Sequence, residues 1–375
     1  MKKYRLETRA VHAGQRPDPG SGAIAPGITF STTFLRETDG SYPSGYSYAR
    51  AANPNRERLE EKLASLEGGT AAVAFSSGSA ATLAVFSLLN SGDEILACRD
   101  SYHGTLQQLD DIVGRWGVTV RQVDTTDLAE VKNSIGPNSR LLWVETPTNP
   151  LLRLCDIAGL AELARDHNLL LACDNTFATP VLQNPLALGA DLVIHSATKY
   201  LGGHSDLTGG VVISAAEDEN ISWVRDFQVK GGAVPSAFDC WLLMRSLATL
   251  PLRVRAQSEN AARMAEFLLA NDQVSQVYYP GLASHPGHKL ASTQMSGYGA
   301  MLSFCTGDNA AQAMAFLARL KLLVRATSLG GVETLIEHRA SIEGPRTLAP
   351  ENMLRISVGI ENIDDLLGDL EQALG

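Results

Sequence analysis

Between Ala71 and Ser214 the chain alternates short runs of apolar, often β-branched residues with amphipathic stretches of helix length, and this alternation constrains the fold more than any other feature. Parallel neighbouring strands need a crossover of about a dozen residues or more, so strand and helix in repetition build a layered α/β unit on a mostly parallel sheet. Strands are expected at residues 72–75, 94–98, 118–123, 141–145, 169–173, 192–195 and 210–214, giving a seven-stranded sheet. Residues 79–90 and 156–167 carry apolar side chains at three and four spacing, and Asp156 stands where a helix N-cap is expected. Helices should cover both faces of the sheet.

The flanks read differently. Residues 1–50 are rich in Gly, Pro, Ser and Thr, with 17–27 irregular, and suit an arm reaching over another surface. Residues 51–245 hold the layered unit. From 246 to 375 a long helical pattern (253–271) and strand-like runs (301–304 and 354–358) indicate a second, smaller α/β domain. The length of 375 residues fits two domains at roughly 100 to 200 residues each.

Composition removes several function classes. Asp plus Glu number 41 against 31 Lys plus Arg, and a net charge of −10 repels nucleic acid. No apolar run approaches the roughly 18 residues of a membrane span. The opening MKKYRLETR lacks the apolar stretch of a secretory signal, so the cytoplasm is the expected location. Five scattered cysteines without a C-x-x-C pair read as buried thiols, and no Cys, His and carboxylate grouping has metal-ligand spacing.

In an open parallel sheet, ligands collect beyond the carboxyl ends of the strands. After Phe75 comes SSGSAA, small residues opening a helix whose free N–H groups can meet an anion, or which simply pack tightly. After Cys173 comes Asp174, a carboxylate at the mouth of a buried strand, which needs a cation or strong donors unless it only caps a loop. After His195 comes SATKYLGGH, placing Lys199 among hydroxyls and glycines, whereas Lys62 and Lys132 read as ordinary solvated lysines on helix faces. A lysine at a strand mouth can serve as nucleophile or Schiff-base former. Anion cradle, carboxylate and lysine on one sheet edge are the parts that hold pyridoxal 5′-phosphate. Neither a P-loop nor a dinucleotide fingerprint occurs in the right context.

Nearly the whole chain resembles the cysteine and methionine metabolism family of pyridoxal-phosphate enzymes, the trans-sulfuration group of cystathionine γ-synthases, cystathionine lyases and methionine γ-lyases. The likeness rests on Tyr48-Ala49-Arg50 with Asn53-Pro54, SSGSAAT, ETPTNP, DNTFATP, HSATKYLGGHSD, YYPGLASHPGH, QMSGYGAMLSF, SLGGVETLIEH and LRISVGIE. It implies the type I transferase fold, with an N-terminal arm crossing to a neighbouring subunit in a dimer of dimers. It further implies that Lys199 forms the Schiff base and shuttles protons, Asp174 pairs with the pyridinium nitrogen, and Tyr102 stacks on the ring and assists proton transfer. Gly78, Ser79, Ser196 and Thr198 would hold the phosphate, completed by Tyr48 and Arg50 of the adjacent subunit, with Thr176 beside Asp174. Arg355 would bind the substrate carboxylate, with Asn149, Ser328 and Thr327 nearby.

Departures from the family's pattern bear on the substrate. His103 and Gly104 follow Tyr102 where methionine-degrading members carry Cys two residues on, so methionine is disfavoured. Thr327 stands before SLGG where many cystathionine enzymes have Glu, and Arg339-Ala340-Ser341-Ile342-Glu343-Gly344 replaces a frequent Pro-Ala-Ser-Met-Thr-His. The distal pocket is therefore expected to be rebuilt, with Arg339 adding a cation, and cystathionine is not expected to be the best substrate. The implied reaction is α,γ-elimination or γ-replacement on a γ-substituted L-amino acid: cystathionine, an O-acyl-homoserine, or a nitrogen- or oxygen-linked analogue such as canavanine. β-Elimination is the alternative. A binding-only descendant has no physical need for Lys199, Asp174, Tyr102 and Arg355 together.

Overall fold

The computed structural model describes residues 3–344 and 347–375, so the first two residues of the expected arm lie outside the described residues. Seven strands form the large sheet: β1 (Ala71–Phe75), β2 (Glu94–Cys98), β3 (Thr119–Val123), β4 (Ser139–Glu145), β5 (Leu170–Asp174), β6 (Leu192–Ser196) and β7 (Gly210–Ser214). Their order is β1-β7-β6-β5-β4-β2-β3. β7 runs antiparallel to both β1 and β6, while the other neighbours are parallel. All seven expected strands are present, with ends displaced by a residue or two.

Alternate residues of each strand feed different layers. Val73, Phe75, Leu141, Trp143 and Ile194 pack with Ala81, Val85 and Phe86 of helix Gly78–Phe86 and with Ile221 and Val224 of helix Glu219–Gly231. Leu142, Val144, Leu171 and Cys173 pack on the opposite face against Leu160, Ala161 and Ala164 of helix Ile157–Asp166. Burial on both faces explains why these strands read as continuous apolar runs. Asp156 caps its helix as expected, accepting from the Gly159 N–H at 3.0 Å. The helix expected at 79–90 ends at Phe86 and continues only as turns.

A second sheet has the order β10-β11-β12-β9-β8, built from β8 (Val274–Tyr278), β9 (Met301–Thr306), β10 (Val324–Arg325), β11 (Leu335–His338) and β12 (Met353–Ser357). β8, β10 and β11 escape the sequence pattern because they are short or carry little alternation. One apolar core joins the two sheets, running from Leu59, Leu63 and Leu66 through Leu247 and Val254 to Phe304, Ile356 and Leu370. Burying such side chains contributes on the order of 1.5 to 3 kcal/mol each.

Lys62 corrects the expectation of a solvated lysine. It is 1% exposed, and its Nζ donates to the carbonyls of Ala10 and Val11 at the end of helix Leu6–His12. Burial pushes its amine down to about 8. Lys132 is exposed as expected. All five cysteines are free and buried. Residues 13–52 hold no helix or strand beyond a bridge between Thr33 and Tyr48, and Ile24, Phe30 and Leu35 stand exposed there.

The turn carrying Lys199 is fixed from below by Arg253. This buried guanidinium donates to the carbonyls of Tyr200 at 2.8 Å and Ser246 at 3.1 Å. Gly203 crosses directly over it at φ +69°, where a Cβ would lie 1.9 Å from Arg253 Nη1, so only glycine fits. Arg253→Met would strand buried carbonyls and should destabilise the fold by about 2 kcal/mol or more, read as a lower urea midpoint at unchanged slope. A loss under about 0.5 kcal/mol would contradict this anchoring role.

Candidate active site

Because β4, β5 and β6 run parallel, their last residues Glu145, Asp174 and Ser196 emerge side by side, with Glu145 and Asp174 direct register partners. They line a cavity of about 210 Å³ together with Gly78, Ser79, Tyr102, Asn149, Thr176, Thr198, Lys199, Thr327, Ser328, Arg339 and Arg355. Every expected site residue except Tyr48 and Arg50 therefore meets in one place. Those two stand on the N-terminal stretch outside their own chain's cavity, with the Arg50 guanidinium 5.9 Å from the Tyr48 ring centroid.

Lys199 leaves β6 on the following turn and donates from Nζ to Ser328 Oγ at 2.8 Å. Burial, reinforced by the charges of Arg355 and Arg339 and opposed by Glu337, lowers its amine to about 8. Such a lysine is neutral far more often at physiological pH than one near the ordinary 10.5. Asp174 accepts from the Thr176 N–H at 2.9 Å, and Thr176 Oγ1 accepts from the Ser196 N–H at 2.9 Å, tying two strand ends together. Burial raises the Asp174 carboxyl, with the Thr176 bonds and His195 pulling the other way.

On the other side of Asp174 the helix Gly78–Phe86 begins. Ser77 caps it by accepting from the Ala80 N–H at 3.1 Å, and the N–H groups of the first turn have no carbonyl of the helix to meet. A Cβ on Gly78 would come within 2.8 Å of Ser196 Cβ, so the glycine lets the helix start close against the β6 end. Hydroxyls of Ser196 and Thr198 border the same corner, the latter accepting from the Gly209 N–H at 3.0 Å. First-turn N–H groups, two hydroxyls, a half-buried carboxylate and a lysine of lowered basicity fit a phosphorylated pyridine aldehyde in donor set and in charge.

Arg355, on β12, enters from the small sheet and is 3% exposed. It donates to Asn149 Oδ1 at 2.9 Å, to the Ser328 carbonyl at 2.8 Å, and to Glu337 on β11. Burial lowers its guanidinium to about 10 despite Glu337. Tyr102 is half-exposed at the cavity rim, with its ring 5.0 Å from that of His103.

Two site residues went unassigned in the sequence. Glu145 begins the ETPTNP motif, and its Oε2 accepts from the Tyr102 N–H at 2.8 Å, fixing the residue that opens helix His103–Asp111. Burial and the adjoining Asp174 push its carboxyl well up. The strand-end rule applied to run 141–145 would have found it. Glu337 had no such signal, since its role depends on which strand lies beside β12. Arg339 is buried, with Nη1 donating to Glu337 at 2.7 Å and Nη2 and Nε to Glu343 at 2.5 and 3.1 Å. The expected extra cation is present but already doubly paired.

Comparison with known proteins gives this geometry its class. The family model for Cys/Met metabolism PLP-dependent enzymes matches residues 7–375. A cystathionine gamma-synthase of Mycobacterium tuberculosis (strain H37Rv) is 48% identical over 98% of this chain and 96% of its own. A cystathionine gamma-lyase of Bacillus subtilis (strain 168) is 44% identical over 100% and 99%. The crystal structure of metB from Corynebacterium glutamicum superimposes with a TM-score of 0.96 at 44% identity, covering 99% and 98%. The chain belongs to the Cys/Met metabolism family of PLP-dependent enzymes, and its cofactor is pyridoxal 5′-phosphate. Among the described residues no helix is long and apolar enough to cross a membrane.

The lowered Lys199 amine has a measurable consequence. Only the neutral amine attacks an aldehyde, so capture of pyridoxal 5′-phosphate by the apoprotein should speed up as pH rises through about 8 and level off above it. Stopped-flow absorbance checks this, and a midpoint near the ordinary 10.5 would contradict it.

Proposed function

We propose that this enzyme acts on an L-amino acid bearing a leaving group at its γ atom, by α,γ-elimination or γ-replacement. The observation that carries the reading is the placement of Lys199 Nζ, on Ser328 Oγ, in one cavity with Asp174 and Arg355. The related γ-synthase and γ-lyase support the same class of bond chemistry.

When bound, pyridoxal 5′-phosphate supplies an electron sink for the carbanion formed at the substrate Cα. The residues do the rest. Asp174 supplies the negative charge that keeps a pyridine nitrogen protonated, and Thr176 holds its carboxylate in line. Gly78 and Ser79 present N–H groups to the phosphate, with Ser196 and Thr198 adding hydroxyls. Arg355, steadied by Asn149 and the Ser328 carbonyl, receives the substrate carboxylate. That orients the Cα hydrogen toward the neutral amine of Lys199, which takes that proton, passes it on and then takes one from Cβ, whose electron pair expels the γ group. The Tyr102 hydroxyl at the rim donates to the departing group.

Tyr48 and Arg50 belong to this account through a second copy of the chain. Both lie outside their own cavity, on a stretch whose Ile24, Phe30 and Leu35 are exposed. Of the expected arm, residues 1–50, helix Leu6–His12 packs on its own chain over Lys62; we assign the stretch from 13 to 50 as completing a neighbour's phosphate site in a homo-oligomer, with 51–245 as the cofactor domain and 246–375 as the C-terminal domain.

Thr327 lines the cavity where a carboxylate would otherwise stand, and the Arg339 charge is spent on Glu337 and Glu343. Neither offers a charged partner to a distal amino-acid group, so substrates with a simpler γ-substituent should outrank cystathionine. A substrate panel scored for both oxo acid and replaced amino acid tests this. Lys199→Ala should lose at least about a hundredfold in turnover on every substrate. Thr327→Glu should shift kcat/KM toward cystathionine by about tenfold, equivalent to about 1.4 kcal/mol. Cystathionine ranking first, with Thr327→Glu leaving the order unchanged, would overturn the substrate reading.

A further inference from the structure

Arg355 and Glu337 are register partners on β12 and β11, so the fold presses a carboxylate against the guanidinium assigned to the substrate. A buried pair closed in this way is neutral and gives an incoming anion little to bind. The chain adds a second cation to this pair. Arg339, the first residue after β11, donates to the same Glu337 oxygen as Arg355, so one carboxylate is shared by two buried guanidiniums. The two guanidiniums line the cavity that holds Lys199, whereas neither Glu337 nor Glu343 does. Glu343 instead borders the adjoining cavity beside His103, and its other oxygen accepts from Thr347 Oγ1 at 2.6 Å. Cations thus face the substrate space and anions back them.

We propose that Arg339 is a positioning residue for substrate carboxylate binding: by taking a share of Glu337, and being held by Glu343, it leaves Arg355 electrostatically open to the α-carboxylate. The proposal rests on the reading of Arg355 as the carboxylate site. It differs from a distal-recognition role for Arg339. Three of the five N–H donors of this side chain are already committed to carboxylates, and the rest of the guanidinium is buried, 2% exposed as a residue.

The test uses holoenzyme and two probes without a leaving group or any distal polar group, L-norvaline and L-norvalinamide, with dissociation constants read from the cofactor's absorption. Arg339→Gln should weaken L-norvaline about ten- to a hundredfold and change L-norvalinamide less than about threefold, because only the acid depends on the charge. Arg339→Lys should recover part of the loss. If Arg339→Gln does not fold with its two carboxylates stranded, the double variant Arg339→Gln/Glu343→Gln, which removes a charge of each sign, should show the same acid-selective loss. Equal weakening of both probes, or none, would overturn the proposal. Arg355→Gln serves as the control on the underlying reading. If it fails to discriminate acid from amide, the carboxylate assignment itself falls; if it discriminates and Arg339→Gln does not, only the role of Arg339 falls.

Discussion

Three parallel strands ending together set the terms for everything else in this molecule. β4, β5 and β6 deliver Glu145, Asp174 and Ser196 to one edge, where the buried carboxylate of Glu145 and the half-buried one of Asp174 are register partners. Two such charges cannot stand side by side in an apolar surrounding without cations or donors nearby. Tyr102 gives Glu145 a backbone donor and Thr176 gives Asp174 another. A basic ring nitrogen beside Asp174 would answer the remaining demand, and this is how the sheet's ends suit the proposed pyridoxal 5′-phosphate site.

The second requirement is that the small sheet stays registered against the large one. Arg355 comes from β12, yet its partner Asn149 belongs to the loop after β4, and Lys199 on the turn after β6 donates to Ser328 in the loop between β10 and β11. These polar ties cross a shared apolar core that includes Leu247, Phe304 and Ile356. Sliding one sheet against the other would break the core and the cavity together. The geometry between Lys199 and Arg355, the pair proposed to orient the substrate, is therefore held by packing and not by the two side chains alone.

Local signals in the sequence carried most of the large sheet and the groups hung from it. Asp174 was legible because it directly follows an uninterrupted apolar run, and Lys199 because it sits among hydroxyls and glycines on the turn just past another; a charged residue in either place has little structural excuse. Arg355 and Tyr102 became legible through family-like motifs. What escaped depends on neighbours that sequence proximity does not reveal. Glu145 matters because β4 lies beside β5; Glu337 matters because β11 lies beside β12. Lys62 looked like a solvated helix residue until helix Leu6–His12 was seen to close over it. Arg339 read as a free cation, and its two carboxylate partners appear only once the turn after β11 is folded.

The central claim, that the edge defined by Asp174 and Lys199 is where the cofactor is held, can be read without any substrate. Holoenzyme reduced with borohydride and digested should yield a single pyridoxyl-modified peptide, carrying the modification on Lys199. Modification instead on Lys62, a buried lysine whose amine is likewise lowered to about 8, would contradict the account, as would a label scattered over exposed lysines such as Lys132.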